Sequence, residues 1–300
     1  MENKKKIRGI IPPTVTPLKE DESLDRTAVK RLIDYCISKG VNGLFCNGTS
    51  GEAMRVTDEV WYQNTIATLE YADQRVPVYC GAIDSSTARA IEKIKEIEHA
   101  GGKYAVCTAP FYLLNFGQDE ILRHFDRICE RTDIDIIIYN IPETTQVNIL
   151  PETIAKMAGW GRVVAYKDSC ADYQQLQREL IAVEEYDISL LNGAEELCAA
   201  SMLFGAQGCI PGLANFVPEL FVRLYEYCAA GKIAESYALQ KRIVEVRKIL
   251  QVNGCWMSAM KYMLLAFKLG TDAITFPLEK LKDEEKKKVQ ELLVKTEVCI

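Results

Sequence analysis

The sequence predicts an α/β fold, a (β/α)8 barrel with a C-terminal helical extension. A chain of 300 residues suits a single large α/β domain with one extensive core. Eight short β-rich apolar runs follow one another, and most are separated by an amphipathic stretch with helical periodicity. The runs are apolar at nearly every position, which is typical of parallel strands covered on both faces, and eight βα units close most economically into a barrel.

The predicted strands occupy residues 7–15, 43–46, 78–82, 104–109, 134–139, 163–167, 188–191 and 209–210. Between the first two strands, apolar residues at 29, 32, 33, 36 and 37 fall on one face of a helix. Ser85 or Ser86 is a candidate N-cap of the third helix, and Gly101-Gly102 predicts its end. The order of elements is therefore β then α, repeated.

Strand patterns cease after about residue 217, and helical patterns continue to the C-terminus. They cover residues 218–230, 233–251, 256–269 and 283–295. We therefore predict a catalytic barrel domain over residues 1–222 and a helical domain over residues 223–300.

The composition argues against several classes of protein. Hydrophobic residues make up 48% and charged residues 26%, which excludes a disordered or low-complexity chain. The 36 Lys and Arg against 42 Asp and Glu give a net charge of −6, which repels nucleic acid and anionic lipid. Glycines and a proline interrupt the uncharged run 197–218, and no signal-peptide pattern follows the N-terminal lysines. We predict a cytoplasmic protein that binds neither nucleic acid nor membranes.

Metal-ligating residues are sparse. The chain has two histidines, and its 11 cysteines form no Cys-x-x-Cys pair. Several cysteines lie inside apolar runs, where they act as small hydrophobic residues. The sequence therefore predicts neither a metal site nor a cofactor.

Residues at the C-terminal ends of the strands and in the loops just beyond them are the candidates for function, because barrel enzymes place their working groups there. These are Thr49, Ser50, Phe111, Tyr112, Tyr139, Lys167 and residues 193–196.

Lys167 follows an apolar run, and desolvation at the mouth of a barrel favours its uncharged, nucleophilic amine. With a carbonyl substrate such an amine forms a Schiff base that accepts electrons when a neighbouring carbon–carbon bond breaks. Position alone is equally compatible with an ion pair between Lys167 and Asp168. Tyr139 could transfer a proton, with Thr49 orienting it, or could simply cap the barrel core. The turn 48–52 could hold a carboxylate on its backbone N–H groups, or be an ordinary βα turn with Glu52 near a helix start.

Five segments together resemble the dihydrodipicolinate synthase/N-acetylneuraminate lyase family of class I aldolases, in order and in spacing. They are Gly48-Thr49-Ser50-Gly51-Glu52, Ala109-Pro110-Phe111-Tyr112, Tyr139-Asn140-Ile141-Pro142, Lys167-Asp168-Ser169 and Gly208-Cys209-Ile210. The resemblance covers nearly the whole chain. It implies a (β/α)8 barrel with a C-terminal helical domain, assembled as a homotetramer.

The resemblance also implies roles for individual residues. Lys167 would form the Schiff base with pyruvate, and Tyr139 would shuttle the proton. Thr49 and Ser50 would hold the pyruvate carboxylate, with a backbone contact from Ile210. Tyr112 would reach into the proton relay of a neighbouring subunit.

Departures from the family pattern bear on the substrate. Synthases of the family carry an arginine after Tyr-Asn-Val-Pro that grips the carboxylate of aspartate semialdehyde; here Thr144 stands in its place, Gln146 replaces a glycine, and Glu143 adds a repelling charge. Gly193-Ala194-Glu195-Glu196 resembles the Gly-x-Asp-Glu of sialic acid lyases, whose acidic side chains accept hydrogen bonds from sugar hydroxyls. Lys167-Asp168-Ser169 resembles aldolases of 2-keto-3-deoxy sugar acids, so Ser169 joins the predicted substrate-binding residues. Against sialic acid, Gly212 replaces a serine and Ala171 a glycine.

The sequence therefore predicts a class I lyase that cleaves a 2-keto-3-deoxy sugar acid, similar to N-acetylneuraminate or 2-keto-3-deoxygluconate, to pyruvate and an aldehyde. One alternative is a dihydrodipicolinate synthase that condenses pyruvate with aspartate semialdehyde. Another is a family member that binds a keto acid without turnover.

Overall fold

The computed structural model describes residues 6–112 and 117–298, and its centre is one sheet of eight parallel strands. The strands are β1 Gly9–Ile10, β2 Leu44–Cys46, β3 Val78–Gly81, β4 Tyr104–Thr108, β5 Asp135–Asn140, β6 Val163–Asp168, β7 Ser189–Asn192 and β8 Gly208–Cys209. Each predicted strand is present, and the prediction of a (β/α)8 barrel with C-terminal helices is confirmed.

The sheet runs in the order β1-β8-β7-β6-β5-β4-β3-β2. Backbone hydrogen bonds also join the segment after β1 to β2. Phe45 N–H donates to Pro12 O at 3.0 Å, and Thr14 N–H donates to Phe45 O at 2.8 Å. These bonds close the sheet into a barrel.

Residue alternation along each strand produces two cores. On β5, Ile137 and Tyr139 point into the barrel, where they meet Phe45 and Leu191. Their neighbours, such as Ile138, point outward and pack beneath the helices. Burial on both faces explains why the strands show continuous apolar runs instead of alternation.

Helices connect the strands on the outside of the barrel. They are α1 Arg26–Ser38, α2 Asp58–Ala72, α3 Thr87–His99, α4 Gln118–Arg131, the short α5 Pro142–Thr145, α6 Pro151–Ala158, α7 Tyr173–Ala182 and α8 Cys198–Phe204. Ser86 is the N-cap of α3, and its side chain accepts a hydrogen bond from Arg89 N–H. This confirms one of the two predicted caps.

Strand β1 is much shorter than the predicted strand 7–15. The ladder with β8 includes only Gly9 and Ile10. Pro12 and Pro13 follow directly, and a proline has no N–H to donate to a sheet ladder. Two prolines in succession therefore end the regular pairing.

The C-terminal part consists of α9 Pro218–Ala229, α10 Ile233–Arg247, α11 Trp256–Ala266 and α12 Asp283–Lys295. These agree with the predicted helices, except that α10 gives way to a 3₁₀ turn at Lys248–Gln251. The proposed boundary between residues 222 and 223 falls inside α9, and the division into two domains stays a prediction. Among the described residues, no helix combines the length and apolar character needed to cross a membrane.

Candidate active site

A cavity of about 500 Å³ opens at the C-terminal ends of the strands. Parallel strands in a barrel end on the same face, so residues distant in sequence meet there. Ten of the candidate residues line the cavity: Thr49, Ser50, Tyr139, Lys167, Ser169, Gly193, Ala194, Glu195, Glu196 and Ile210. The candidates Phe111 and Tyr112 do not line it.

Lys167 lies on β6 and is 3% exposed. Its Nζ lies 3.8 Å from the centroid of the Tyr139 ring and 5.0 Å from that of Phe45. Asp168, the next residue, points to the opposite face of the strand and accepts hydrogen bonds from Asn140 Nδ2 at 2.9 Å and Cys170 Sγ at 2.8 Å. The alternative of a rim ion pair between Lys167 and Asp168 is therefore wrong.

Tyr139 is the neighbour of Lys167 across the β5–β6 ladder. Its ring packs edge-on against Phe45, with the centroids 6.1 Å apart. Thr49 lines the same cavity, although the hydrogen bonds of the described residues do not include one between these two hydroxyls. The ring packing fixes Tyr139 beside the amine of Lys167.

The last residue of the turn 48–52, Glu52, anchors the turn through buried contacts. This residue is 2% exposed and has a left-handed φ of 56°. Its carboxylate lies 2.5 Å from Lys261 Nζ and accepts hydrogen bonds from the N–H and the hydroxyl of Thr275. Helix α2 begins only at Asp58, capped by Thr57, so the alternative that placed Glu52 near a helix start is wrong. Glu52 instead ties the turn carrying Thr49 and Ser50 to the C-terminal part of the chain.

Gly193 allows Lys167 and Ser169 to lie side by side. A Cβ at position 193 would lie 2.0 Å from Ser169 Oγ and 2.9 Å from Lys167 Cε, closer than real contacts allow. Because Gly193 has no side chain, the side chain of Lys167 has room to extend into the cavity.

Ile210 follows β8 and is buried in the inner core. Its N–H donates to Asn192 O at 2.8 Å. Because that donor is used, a backbone contact from Ile210 to a substrate would come from its carbonyl oxygen.

Glu195 and Glu196 lie on one wall of the cavity and are bridged by Arg247, the last residue of α10. The Arg247 Nε lies 3.2 Å from Glu195 Oε2, and its Nη1 lies 2.9 Å from Glu196 Oε1. Glu195 also accepts a hydrogen bond from Leu213 N–H at 2.7 Å. Burial raises the pKa of the Glu195 carboxyl, and the Leu213 N–H and Arg247 oppose this effect.

Several cavity residues were missed by the sequence analysis. They come from the C-terminal helices and their connections: Arg247, Leu250, Gln251, Gly254, Trp256 and Met260. Nothing in the helical periodicity of this region distinguishes the face that covers a cavity from the face that covers a core. Only the three-dimensional packing of α10 and α11 over the barrel mouth identifies them.

The segment after Tyr139, which differs from the family pattern, forms the short helix α5. Glu143 and Thr144 both line the cavity. Gln146 ends this helix with a left-handed φ of 58°, a conformation that favours glycine. The cavity therefore has a carboxylate and a hydroxyl where an arginine would provide a positive charge.

Tyr112 is 88% exposed, with a φ of 85°. A second cavity of about 210 Å³ lies beside the cavity around Lys167 and is lined in part by Thr49, Thr108 and Phe111. The Thr108 hydroxyl is buried and has no hydrogen-bond partner among the described residues. Thr49 lines both cavities.

A buried acidic network lies behind Lys167, on the outer face of β6. Glu179 accepts hydrogen bonds from the Tyr166 hydroxyl and from Gln175 Nε2, both at 2.8 Å. Burial, assisted by the charge of Asp168, raises the pKa of Glu179 from its ordinary 4.5 to about 8. Burial likewise raises the pKa of Asp168. In the folded protein, a pKa of about 8 favours the protonated form of Glu179 at neutral pH.

We expect the free energy of unfolding to fall as pH rises from about 4.5 to about 8, because the folded chain then keeps a proton on Glu179 that the unfolded chain has lost. The contribution of Glu179 to the free energy of unfolding is fully present below the unfolded pKa of 4.5. It is lost as the pH rises through the folded pKa of about 8. Glu179→Gln preserves an uncharged acceptor and should flatten this part of the profile. Urea unfolding of both proteins at about pH 6 and about pH 8.5 measures the difference, and parallel profiles would contradict the assignment.

Groups of three or more His, Cys, Asp or Glu suited to a metal ion are not found among residues 6–112 and 117–298. The ten cysteines in this part of the chain are free thiols, and most of them are buried.

Comparisons with known proteins agree with the geometry. The model of the dihydrodipicolinate synthetase family matches residues 6–296. The 4-hydroxy-tetrahydrodipicolinate synthase of Archaeoglobus fulgidus is 30% identical over 292 residues, covering 97% of this chain and 98% of the relative. The dihydrodipicolinate synthase of Bacteroides thetaiotaomicron has a TM-score of 0.91 at 30% identity, covering 96% of this chain and 98% of that one. The pyruvate complex of the Acinetobacter baumannii enzyme has a TM-score of 0.91 at 25% identity, covering 98% of this chain and 100% of that one.

The match extends across both the barrel and the C-terminal helices, and it includes every element that lines the cavity. The chain therefore belongs to the dihydrodipicolinate synthetase family and is a pyruvate-dependent class I aldolase.

Proposed function

We propose that this aldolase cleaves a 2-keto-3-deoxy sugar acid, of the N-acetylneuraminate or 2-keto-3-deoxygluconate type, to pyruvate and an aldehyde. The observation that carries the proposal is the composition of the cavity around Lys167. Three carboxylates, those of Glu143, Glu195 and Glu196, line it, and the basic side chains in its lining are those of Lys167 and Arg247. Hydroxyl groups donate hydrogen bonds to such carboxylates, whereas a second carboxylate on the substrate would be repelled.

In the proposed reaction, Lys167 Nζ attacks the C2 carbonyl of the keto acid and water leaves, forming a protonated imine. Thr49 and Ser50 hold the C1 carboxylate, and the carbonyl oxygen of Ile210 faces the substrate. Ser169 and Gly193 form the wall beside the new bond. The small Gly193 leaves the space that the imine carbon requires.

Carbon–carbon cleavage then follows from the imine. The proton of the C4 hydroxyl passes to the Tyr139 oxygen as the C3–C4 bond breaks, and the electron pair moves to the imine nitrogen. As it accepts this proton, Tyr139 passes its own phenolic proton to the Thr49 hydroxyl, which releases its proton in turn to water in the cavity. The same relay then runs in reverse and returns one proton from Tyr139 to C3 of the enamine. Water hydrolyses the resulting imine, which releases pyruvate and restores the free amine of Lys167. This sequence needs no cofactor, because the imine itself is the electron acceptor.

We further propose that the relay is completed in a homotetramer. The exposed Tyr112 would enter the small cavity beside Thr49 in a neighbouring copy. There it would contact the Thr108 hydroxyl, which has no hydrogen-bond partner within residues 6–112 and 117–298. Sedimentation velocity combined with activity measurements tests this idea, and an active monomer would exclude the role of Tyr112. A cytoplasmic location stays a prediction.

The second candidate is the synthase reaction, which the names of the relatives favour. It requires a cation for the carboxylate of aspartate semialdehyde. Arg247 is in the cavity, but Glu195 and Glu196 already pair with it. Lys167 and Tyr139 are both present and lie side by side at the cavity. This arrangement favours an enzyme over the alternative of a family member that binds a keto acid without turnover.

A substrate panel decides between the two reactions. We expect kcat/KM for pyruvate release from 2-keto-3-deoxy sugar acids to exceed that for condensation of pyruvate with aspartate semialdehyde by about ten- to a hundredfold, because the bidentate arginine–carboxylate contact is missing. Both reactions are measured on one enzyme preparation, with pyruvate determined in each. Faster condensation would overturn the proposal and would indicate that Arg247 can leave its two carboxylates.

A further inference from the structure

Arg247 reaches the active-site cavity from the C-terminal helices, not from the barrel. It ends α10, more than fifty positions after Glu195 in the sequence, and its side chain is 31% exposed. Because Arg247 lines the cavity, part of that exposed surface faces the space in which a substrate would lie. The neighbouring Lys248 instead pairs with Glu245 and does not line the cavity.

The hydrogen-bonding capacity of this cluster exceeds what its internal contacts use. A guanidinium has five N–H donors in a planar fork, and the two contacts to Glu195 and Glu196 involve Nε and Nη1. The buried carboxylate of Glu195 already interacts with Arg247 and with the N–H of Leu213. The Glu196 side chain, in contrast, is 46% exposed. The accessible pair is therefore a donor on Arg247 beside an acceptor on Glu196.

We propose that Arg247 is a specificity-determining residue that, with Glu196, binds a vicinal diol in the aldehyde half of the substrate. A hydroxyl both donates and accepts, so two adjacent hydroxyls complement the unused N–H donors of the Arg247 guanidinium and the exposed carboxylate of Glu196, which Arg247 Nη1 holds at 2.9 Å. A carboxylate or phosphate on the aldehyde would instead face Glu196 and Glu143. The subsite thus selects an uncharged, dihydroxylated end.

This inference rests on the proposed sugar-acid lyase function, and the test uses the reverse reaction. Pyruvate is condensed with glyceraldehyde, which has two adjacent hydroxyls, and with propionaldehyde, which has the same carbon count and neither hydroxyl. We expect Arg247→Met to lower kcat/KM for glyceraldehyde by about ten- to a hundredfold, since hydrogen bonds to a charged group are lost. For propionaldehyde the change should stay within about twofold.

Three controls accompany the substitution. Glu196→Gln should lower the preference for glyceraldehyde in the same direction, and Lys248→Met should leave both aldehydes unaffected. Borohydride trapping of the pyruvate imine should be the same in Arg247→Met as in the wild type, which separates loss of the subsite from disruption of the site around Lys167.

The outcomes distinguish the inference from the function on which it rests. A wild-type enzyme that uses no hydroxylated aldehyde overturns the proposed function and the diol subsite with it. A wild-type enzyme that uses glyceraldehyde, combined with equal losses for both aldehydes in Arg247→Met, overturns the subsite alone. Unchanged kinetics for both aldehydes would exclude Arg247 from substrate recognition.

Discussion

Tyr139→Phe should retain imine formation and lose about a hundredfold or more in turnover, the range typical of a removed general acid–base group. The substitution removes the hydroxyl but keeps the ring that packs against Phe45 and lies 3.8 Å from Lys167 Nζ. Pyruvate release gives the turnover, and borohydride trapping gives the imine.

Tyr79→Phe is the matched control for this experiment. Tyr79 is also buried in the inner core, where its ring lies against Tyr104, but it does not line the active-site cavity. We expect this variant to keep nearly full turnover. Full activity of Tyr139→Phe would assign proton transfer to another group.

Lys261→Met should destabilise the folded protein by about 3–5 kcal/mol, because it leaves the Glu52 carboxylate buried without its counter-ion. Lys261 and Glu52 are 1% and 2% exposed, and Lys261 Nζ also donates to Thr16 O. Burial lowers the pKa of Lys261, and Glu52 opposes that effect. Chemical denaturation measures the change in the free energy of unfolding.

A charge-matched control is Lys286→Met. Lys286 pairs with Asp272 in a more exposed position, where the loss of an ion pair costs at most about 1 kcal/mol. The double variant Lys261→Met/Glu52→Gln removes both charges and should be less destabilised than Lys261→Met alone. An equally large loss in the control, or a negligible loss in Lys261→Met, would contradict the anchoring role of this ion pair.

The fold followed from the sequence because its periodic patterns are strong. The apolar strands and the four C-terminal helices were predicted within a few residues of where they lie. The first strand was predicted too long, since the apolar pattern continues through Pro12 and Pro13 although neither can donate to the ladder. Hydrophobicity locates a buried segment, whereas hydrogen-bonding capacity decides how much of it is a strand.

The lining of the cavity around Lys167 was predictable where its residues come from strand ends, as Lys167 and Tyr139 do. Residues that come to line the cavity only through tertiary packing could not be predicted from the sequence. Glu52 was read as part of a local turn, yet its partners lie more than two hundred positions away at Lys261 and Thr275. Arg247 belongs to a helix whose pattern contains no signal for the cavity.

The central claim is that catalysis proceeds through an imine between pyruvate and Lys167. Incubation with pyruvate followed by borohydride, with the modified lysine identified by peptide mass spectrometry, tests it most directly. We expect one reduced pyruvyl group per chain, located on Lys167, and no adduct in Lys167→Ala. An adduct on another lysine, or none at saturating pyruvate, would contradict the claim.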